Sequence, residues 1–393
     1  MRWSPRSRIP PPGILTMTMT GPGRVGTVPG LEWQVLTSRV AAYYADAELR
    51  IIEYLADRLY QDLGAPEWAV TRLAELETAR RHIDVVLGRT EHGIARLVDS
   101  ILNMAHDAGQ GRAVTDLEAA GLPATLPPAT ANAVAVIAAD TMAYLYRMRP
   151  VALRAVTDAY QHVVAEASAG TVLSAQTRAD AAQTALTRFA RHGITGFTDR
   201  AGRRWRLDSY AEMAVRTGIM AAMTVGHVNT LAAVGHHLVL VAGHGYSCPL
   251  CSPWEGKVLS TDGLPAGTYW MLSAVTDEQV QVRVAGTLDQ AREAGLLHPN
   301  CAHALGLYLP GTSPSIRPGR PTPEGGYEAT QRQRVIEREI RRWKRRLAAA
   351  LTEEVAHAAR VRIRRWQQER RQLLAQYSDL RAKPRREQVR TAH

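Results

Sequence analysis

The sequence contains three cysteines, and all of them lie with a histidine in two short motifs that could hold one metal ion. The first motif is Cys248-Pro-Leu-Cys251, and the second, after 46 intervening residues, is His298-Pro-Asn-Cys301. A two-residue spacing lets a tight turn point both side chains at one centre, and two such turns can complete a tetrahedron around zinc. A chain that closes this site must bring two distant segments together.

We predict a closed structural zinc site formed by Cys248, Cys251, His298 and Cys301. His303 is the reserve ligand if His298 does not bind, and His244 is a further candidate. A water molecule in the fourth position would make the site catalytic in principle. Buried thiols with a capping histidine, and no metal, are the alternative.

Composition favours a folded protein of a reducing compartment. The length of 393 residues and a hydrophobic content of 46% suit two or three domains with sizeable cores. No run of 18 apolar residues predicts a membrane span. Pro10, Pro11 and Pro12 stand where a signal peptide needs a continuous apolar segment, so no export signal is expected.

The sequence lacks the common catalytic motifs. It contains no G-x-S-x-G, no H-E-x-x-H and no phosphate-binding glycine loop. We therefore predict a protein that is not an enzyme and has no small-molecule substrate. A less favoured alternative is an enzyme that uses Cys251 or Cys301 as its nucleophile.

The predicted fold class is α+β and predominantly helical, with a helical N-terminal half. Five or six helices are expected there, with turn signals at Gly64 to Pro66, Gly109 to Gly111, Pro123 to Pro128 and Gly170. The predicted organisation is a disordered N-terminus (1–30), a helical domain (31–195), a mixed α/β domain with both metal motifs (196–312), a proline-rich linker (313–326) and a basic helical tail (327–393).

Within the mixed domain, the periodicity predicts a hairpin, a helix and two strands. The hairpin spans residues 193–207 with its turn at Asp199 to Gly202, and the helix runs from Asp208 to about Ala233. Short apolar runs on either side of the first metal motif predict strands at His237 to Val241 and Lys257 to Ser260.

The net charge lies in the tail. Residues 327–393 hold 19 Lys and Arg against 8 Asp and Glu, a charge of +11, which equals that of the whole chain. This excess favours a polyanion or a strongly acidic protein surface as partner, and any DNA contact should be independent of sequence. A solvated helix face is the alternative. The candidate binding residues are Arg341, Arg342, Lys344, Arg345, Arg346, Arg362, Arg364 and Arg365, while Trp343 and Trp366 lie on the apolar stripe.

Several stretches of the sequence resemble the phage minor capsid protein 2 family, over roughly residues 31–390. The C-P-x-C and H-P-N-C elements are also similar to those of Mu F-type head morphogenesis proteins. The stretches that carry the resemblance are Cys248 to Lys257, Ala291 to His303, Tyr308 to Gly311 and Tyr327 to Lys344, with Gly196 to Trp205 and Tyr210 to Thr217 upstream.

This resemblance implies a minor structural protein of a tailed-phage or prophage head. It implies a location in the virion after assembly in the host cytoplasm, and binding to the portal protein and other head proteins. Contact with packaged double-stranded DNA and the absence of a membrane partner are further expectations. The alternative is a zinc protein that binds nucleic acid outside the particle, for which portal association should be missing.

Overall fold

The computed structural model of the chain combines ten helices with seven short strands in its described part. It describes residues 30–124, 131–173, 178–192, 196–198, 202, 204–243, 247–276, 278–299, 301, 303–312, 324–348, 353–377 and 380. The predicted disordered N-terminus and most of the predicted linker lie outside these residues.

Six helices fill the N-terminal half, as the apolar periodicity predicts. They are α1 (Gly30–Tyr60), α2 (Trp68–Ala74), α3 (Leu76–Ala119), α4 (Ala131–Tyr146), α5 (Met148–Leu173) and α6 (Arg178–His192). In α3 the buried side chains recur every three or four residues, from Ile83 through Leu87 to Ile94 and Val98, so one face of this long helix enters the core.

A later helix, α7 (Leu207–Ala233), completes this helical core. It packs along α3 and also contacts α1 and α4. Val215, Ile219 and Ala222 of α7 belong to the same buried cluster as the apolar faces of α1, α3, α4 and α5. The sequence assigns α7 to the mixed domain, whereas most of its buried face lies in the helical core. The division into domains stays a prediction.

Two of the predicted turns do not exist. Gly109 to Gly111 and Gly170 lie inside α3 and α5, so the prediction that they separate helices is wrong. Gly109 has a packing role instead, because a Cβ there would lie 2.1 Å from the backbone oxygen of Met223 in α7. The glycine thus allows two helix backbones to touch.

The mixed region contains the predicted hairpin and a larger sheet than the sequence predicted. The hairpin pairs β1 (Phe197–Thr198) with β2 (Arg204–Trp205). The five-stranded sheet has the order β5-β6-β4-β3-β7, and only β4 and β6 run parallel. Its strands are β3 (Leu238–Val241), β4 (Val258–Ser260), β5 (Gly267–Leu272), β6 (Gln279–Thr287) and β7 (Leu305–Leu307), with the short helix α8 (Leu288–Glu293) after β6.

The two faces of this sheet contribute to different apolar clusters. Val239 and Val241 of β3 pack with Leu117 of α3 and Leu231 of α7, so this face is joined to the helical core. Leu238 and Leu240 point the other way, into a cluster formed within the sheet region. All four residues of β3 are buried, as expected of a central strand.

Asp116 of α3 ties the helices to the sheet. Its carboxylate accepts hydrogen bonds from Arg112 Nε (2.9 Å) in the same helix and from the Leu307 backbone N–H (3.2 Å) in β7. His227 Nε2 of α7 lies 3.1 Å away. One buried carboxylate therefore connects three elements.

The tail forms two helices, α9 (Gly326–Ala348) and α10 (Glu353–Gln376), which pack against each other. Ile336 and Ile340 of α9 are fully buried, and α9 also contacts α6. An ion pair between Arg332 and Glu369 links the two helices. The predicted α+β, predominantly helical class is confirmed. Among the described helices, none combines the length and apolar character needed to cross a bilayer.

Candidate metal centre

The sheet topology brings the two metal motifs to one place. Cys248 and Cys251 lie between β3 and β4, and His298 and Cys301 lie between α8 and β7. Because β3 pairs antiparallel with both β4 and β7, the end of β3 lies beside the starts of β4 and β7. Both loops therefore meet at the same end of the sheet, which the sequence spacing could not show.

Five donor atoms cluster there in two groups that share Cys251. One group joins Cys248, Cys251 and His298, the other joins Cys251, Cys301 and His303, and within each group the donor atoms lie within 4.8 Å of one another. The Cys251 and Cys301 Sγ atoms are 3.6 Å apart, and all three cysteines are free thiols. His298 Nε2 lies 2.9 Å from Cys248 Sγ, and His303 Nδ1 lies 3.2 Å from Cys301 Sγ.

Each histidine is anchored through its other ring nitrogen. His298 Nδ1 lies 2.7 Å from the Pro299 backbone oxygen, so Nδ1 carries the hydrogen and donates it. His303 Nε2 lies 2.6 Å from Glu255 Oε1, and Ser247 Oγ also donates to that carboxylate. Such outer contacts fix the ring and its tautomer, and leave the inner nitrogen facing the thiols.

The pKa values of the three thiols are shifted in different directions. The hydrogen bond from the Cys251 thiol lowers the pKa of Cys301, and His303 lowers it further. The same hydrogen bond holds the proton on Cys251 and raises its pKa. At Cys248 burial raises the pKa, but hydrogen bonds from the backbone of its turn and from His298 outweigh burial and lower it. The pKa is thus lowered at two of the three sulfurs, Cys248 and Cys301, which promotes the thiolate form that binds metals.

The separation of two sulfurs is that expected around a tetrahedral ion of the size of zinc. With Zn–S bonds of about 2.3 Å, two sulfurs of a tetrahedron lie about 3.8 Å apart, close to the Cys251–Cys301 separation of 3.6 Å. The sulfur–nitrogen distances are shorter than the roughly 3.5 Å of a zinc tetrahedron. Each nitrogen would therefore move outwards by a few tenths of an ångström to admit the ion. The cluster can hold a metal, and its two groups of three donor atoms share only Cys251.

The burial of Cys251 and Cys301 is relevant to the alternative that one of them is the nucleophile of an enzyme. Cys251 is 0% and Cys301 5% exposed, so neither thiol is open to a substrate. A surface groove of about 370 Å³ adjoins the site, but it is lined by Pro249, Leu250 and Trp254 with four further residues, none of which is a thiol or a histidine. Both thiols are therefore buried, and the adjoining groove reaches neither of them.

Ser247 had not been predicted, whereas the position of Glu255 near the first motif had suggested that its carboxylate could hydrogen-bond a metal ligand, as it does at His303. Glu255 lies four residues after Cys251, and the 3₁₀ turn Ser252–Trp254 between them folds its carboxylate back towards His303. Pro253 within a tight turn was a usable signal for that reversal. The pairing of Ser247 with Glu255 had no signal in the sequence.

The predicted basic site divides into two groups. Arg341, Arg342, Lys344 and Arg346 are half-buried on α9, where Arg342 pairs with Glu339. The side chain of Arg345 lies outside the described part of the structure. On α10, Arg362, Arg364 and Arg365 are exposed, and Arg346 and Arg362 both lie over the ring of Trp343.

An exposed basic face on α10 includes an arginine that sequence reasoning left out. Arg364, Arg365 and Arg371 line a shallow surface groove together with Val361, Gln367 and Gln368. None of these three guanidiniums has an ion-pair partner in the part of the chain that the structure describes. The helical spacing of Arg364 and Arg371, two turns apart, could have identified the second of them.

Comparison with known proteins places this architecture in a family. A family model described as "Phage minor capsid protein 2" matches residues 32–375. A structural protein of Lactococcus phage LL-H is 23% identical over 196 residues, which cover 49% of this chain. The chain spans about half of that relative, since the match covers 50% of its length. No solved structure matches. The match over residues 32–375 shows that the chain belongs to the phage minor capsid protein 2 family.

Proposed function

We propose that this protein is a non-enzymatic structural component of a tailed-phage head, present in the virion and bound near the portal. The observation that carries the proposal is the family match over residues 32–375. The LL-H relative, itself named a structural protein, supports it. The buried thiols support a structural rather than a catalytic role for the cysteine motifs.

Mass spectrometry of purified procapsids and mature heads tests the proposal. We expect peptides of this protein in both particles and cross-links between its helical half and the portal protein. Absence from both particles would contradict the role in the head. Presence without portal cross-links would contradict only the portal contact. DNA binding by a protein found outside the particle would favour the alternative of a separate nucleic-acid-binding protein.

We further propose that Cys248, Cys251, Cys301 and one histidine hold a structural zinc ion. His298 is the histidine that the motif spacing selects, whereas His303 is the more deeply buried of the two and is oriented by Glu255. Zinc bound there would tie the loop after β3 to the loop before β7. Its binding free energy would then contribute to folding of the sheet.

Metal analysis of purified protein is expected to give one zinc per chain. Cys251→Ser should remove the metal, because both donor groups include Cys251, and should lower the thermal midpoint. His298→Ala and His303→Ala identify the fourth ligand, since only the true ligand should lower zinc stoichiometry strongly. Ser260 is buried in the sheet and is not one of the donors, so Ser260→Ala serves as the control for disturbance of the sheet. Wild-type protein that is folded and free of metal would contradict the zinc site.

We also propose that the exposed face of α10 contacts packaged DNA without reading its sequence. The support is that Arg364, Arg365 and Arg371 are exposed and have no ion-pair partner among the described residues. Three phosphate contacts would contribute roughly −2.7 to the slope of log affinity against log salt. No base-reading motif accompanies them, so the affinity should be the same for different duplexes.

A triple variant tests the DNA contact. Replacing Arg364, Arg365 and Arg371 by alanine should weaken duplex binding and flatten its salt dependence by about two to three units of slope. The matched control removes three exposed arginines from the helical half, Arg81, Arg89 and Arg154. If both triple variants lose affinity equally, binding depends on net charge and the face on α10 has no specific role.

A further inference from the structure

Helix α4 has the composition of a buried helix. Among its 16 residues, Asp140 is the only charged one. Its inner face packs on α3 and α7, where Val134, Met142 and Leu145 are buried. A helix that is apolar all round is normally covered on all sides.

The outer face of α4 is nevertheless exposed. Val136 is 61% and Tyr144 51% exposed, and Ala139 is exposed between them. Asn132, Val136, Ala139, Asp140, Ala143 and Tyr144 lie within one wide stripe at the 100° per residue of an α-helix, and Arg147 continues it. Large exposed apolar residues that form one stripe mark an interaction surface, unlike the same residues scattered singly.

Two opposite charges stand on this stripe. Asp140 and Arg147 are exposed, and neither has an ion pair within the described parts of the chain. The helical hydrogen bonding reaches Arg147, whose N–H donates to the Ala143 oxygen (3.2 Å). Seven residues, about 10.5 Å along the helix, separate the two charges. Their midpoint lies between Ala143 and Tyr144.

The outer faces of two copies of α4 are complementary to each other. When a second α4 lies antiparallel and the two-fold axis passes through that midpoint, Asp140 of each copy faces Arg147 of the other. The small side chains Ala139 and Ala143 allow the two helices to approach closely. A two-fold interface has this property, because one patch meets itself.

We propose that the outer face of α4 is a homodimer interface, in which a second copy of this chain packs antiparallel across Asp140 and Arg147. The proposal is independent of the role in the phage head, since it rests on one helix face. The charges set the register, and the apolar stripe supplies the buried area.

Charge reversal in the full-length protein tests the register. Sedimentation equilibrium should show a wild-type monomer–dimer equilibrium. Asp140→Arg places arginine against Arg147, and Arg147→Asp places aspartate against Asp140. Each contact occurs twice in the dimer, so each single variant should raise the dissociation constant about tenfold or more. The double variant D140R/R147D restores opposite charges and should return the constant to within about threefold of wild type.

The circular dichroism spectrum of every variant should stay unchanged, because both positions are exposed. Asp158→Arg, an exposed reversal on α5 away from the stripe, is the control and should leave the dimer intact. A wild-type protein that is monomeric at 100 µM or so would overturn the proposal. Single variants that dimerise normally would also overturn it. So would a double variant as weak as the singles, because the effect would then not come from the Asp140–Arg147 pair.

Discussion

Alanine in place of Gly226 is expected to destabilise the protein by about 3 kcal/mol or more. An added Cβ would lie 2.3 Å from the backbone oxygen of His106 in α3, and a backbone atom cannot rotate away as a flexible side chain can. The reciprocal contact, Gly109 against the Met223 oxygen, shows that α3 and α7 touch backbone to backbone. Urea denaturation followed by circular dichroism measures the loss.

Gly111→Ala provides the matched control. Gly111 lies in the same helix as Gly109, is exposed, and has no neighbour within 4 Å of an added Cβ. The helix propensity of alanine should therefore stabilise the protein by up to about 1 kcal/mol. A neutral Gly226→Ala variant would mean that the helices separate easily, contrary to the close crossing.

These glycines show where sequence reasoning about the fold fails. Apolar spacing predicted the helical half because a 3.6-residue period can be read locally in segments such as α3. A glycine, however, is compatible with a turn and with a close helix crossing, and only the partner helix decides between them. Gly109 to Gly111 were therefore predicted as a turn, although they lie inside a helix of 44 residues.

The sheet and the candidate site were likewise predicted only in part. The four motif residues could be found because two-residue spacings have a direct geometric meaning. The strands β5, β6 and β7 were missed, since their pairing depends on contacts that are distant in sequence. The spacing argument named His303 as a reserve ligand, but it could not show that His298 and His303 lie in separate donor groups that share Cys251.

Asp116→Ala is expected to cost about 1–3 kcal/mol for each buried donor that it leaves without an acceptor. The substitution leaves the Leu307 N–H and the His227 ring without their buried acceptor, and Arg112 without its carboxylate. The loss should separate the helical core from the sheet. Asp99→Ala, an exposed aspartate of the same helix, should change stability by no more than about 0.5 kcal/mol.

The contribution of Asp116 should depend on pH in a defined direction. Burial alone would raise the pKa of this carboxyl, but hydrogen bonds from His227 and Arg112 outweigh it, so its pKa is lowered. A group with a lowered pKa stabilises the folded state above its unfolded value, about 3.9 for aspartate, and loses that effect as the pH falls through the folded pKa. The stability difference between wild type and Asp116→Ala should thus be constant from about pH 5 to 7 and shrink below about pH 3.9. A difference that grows on acidification would show that the carboxyl is protonated in the native protein at neutral pH.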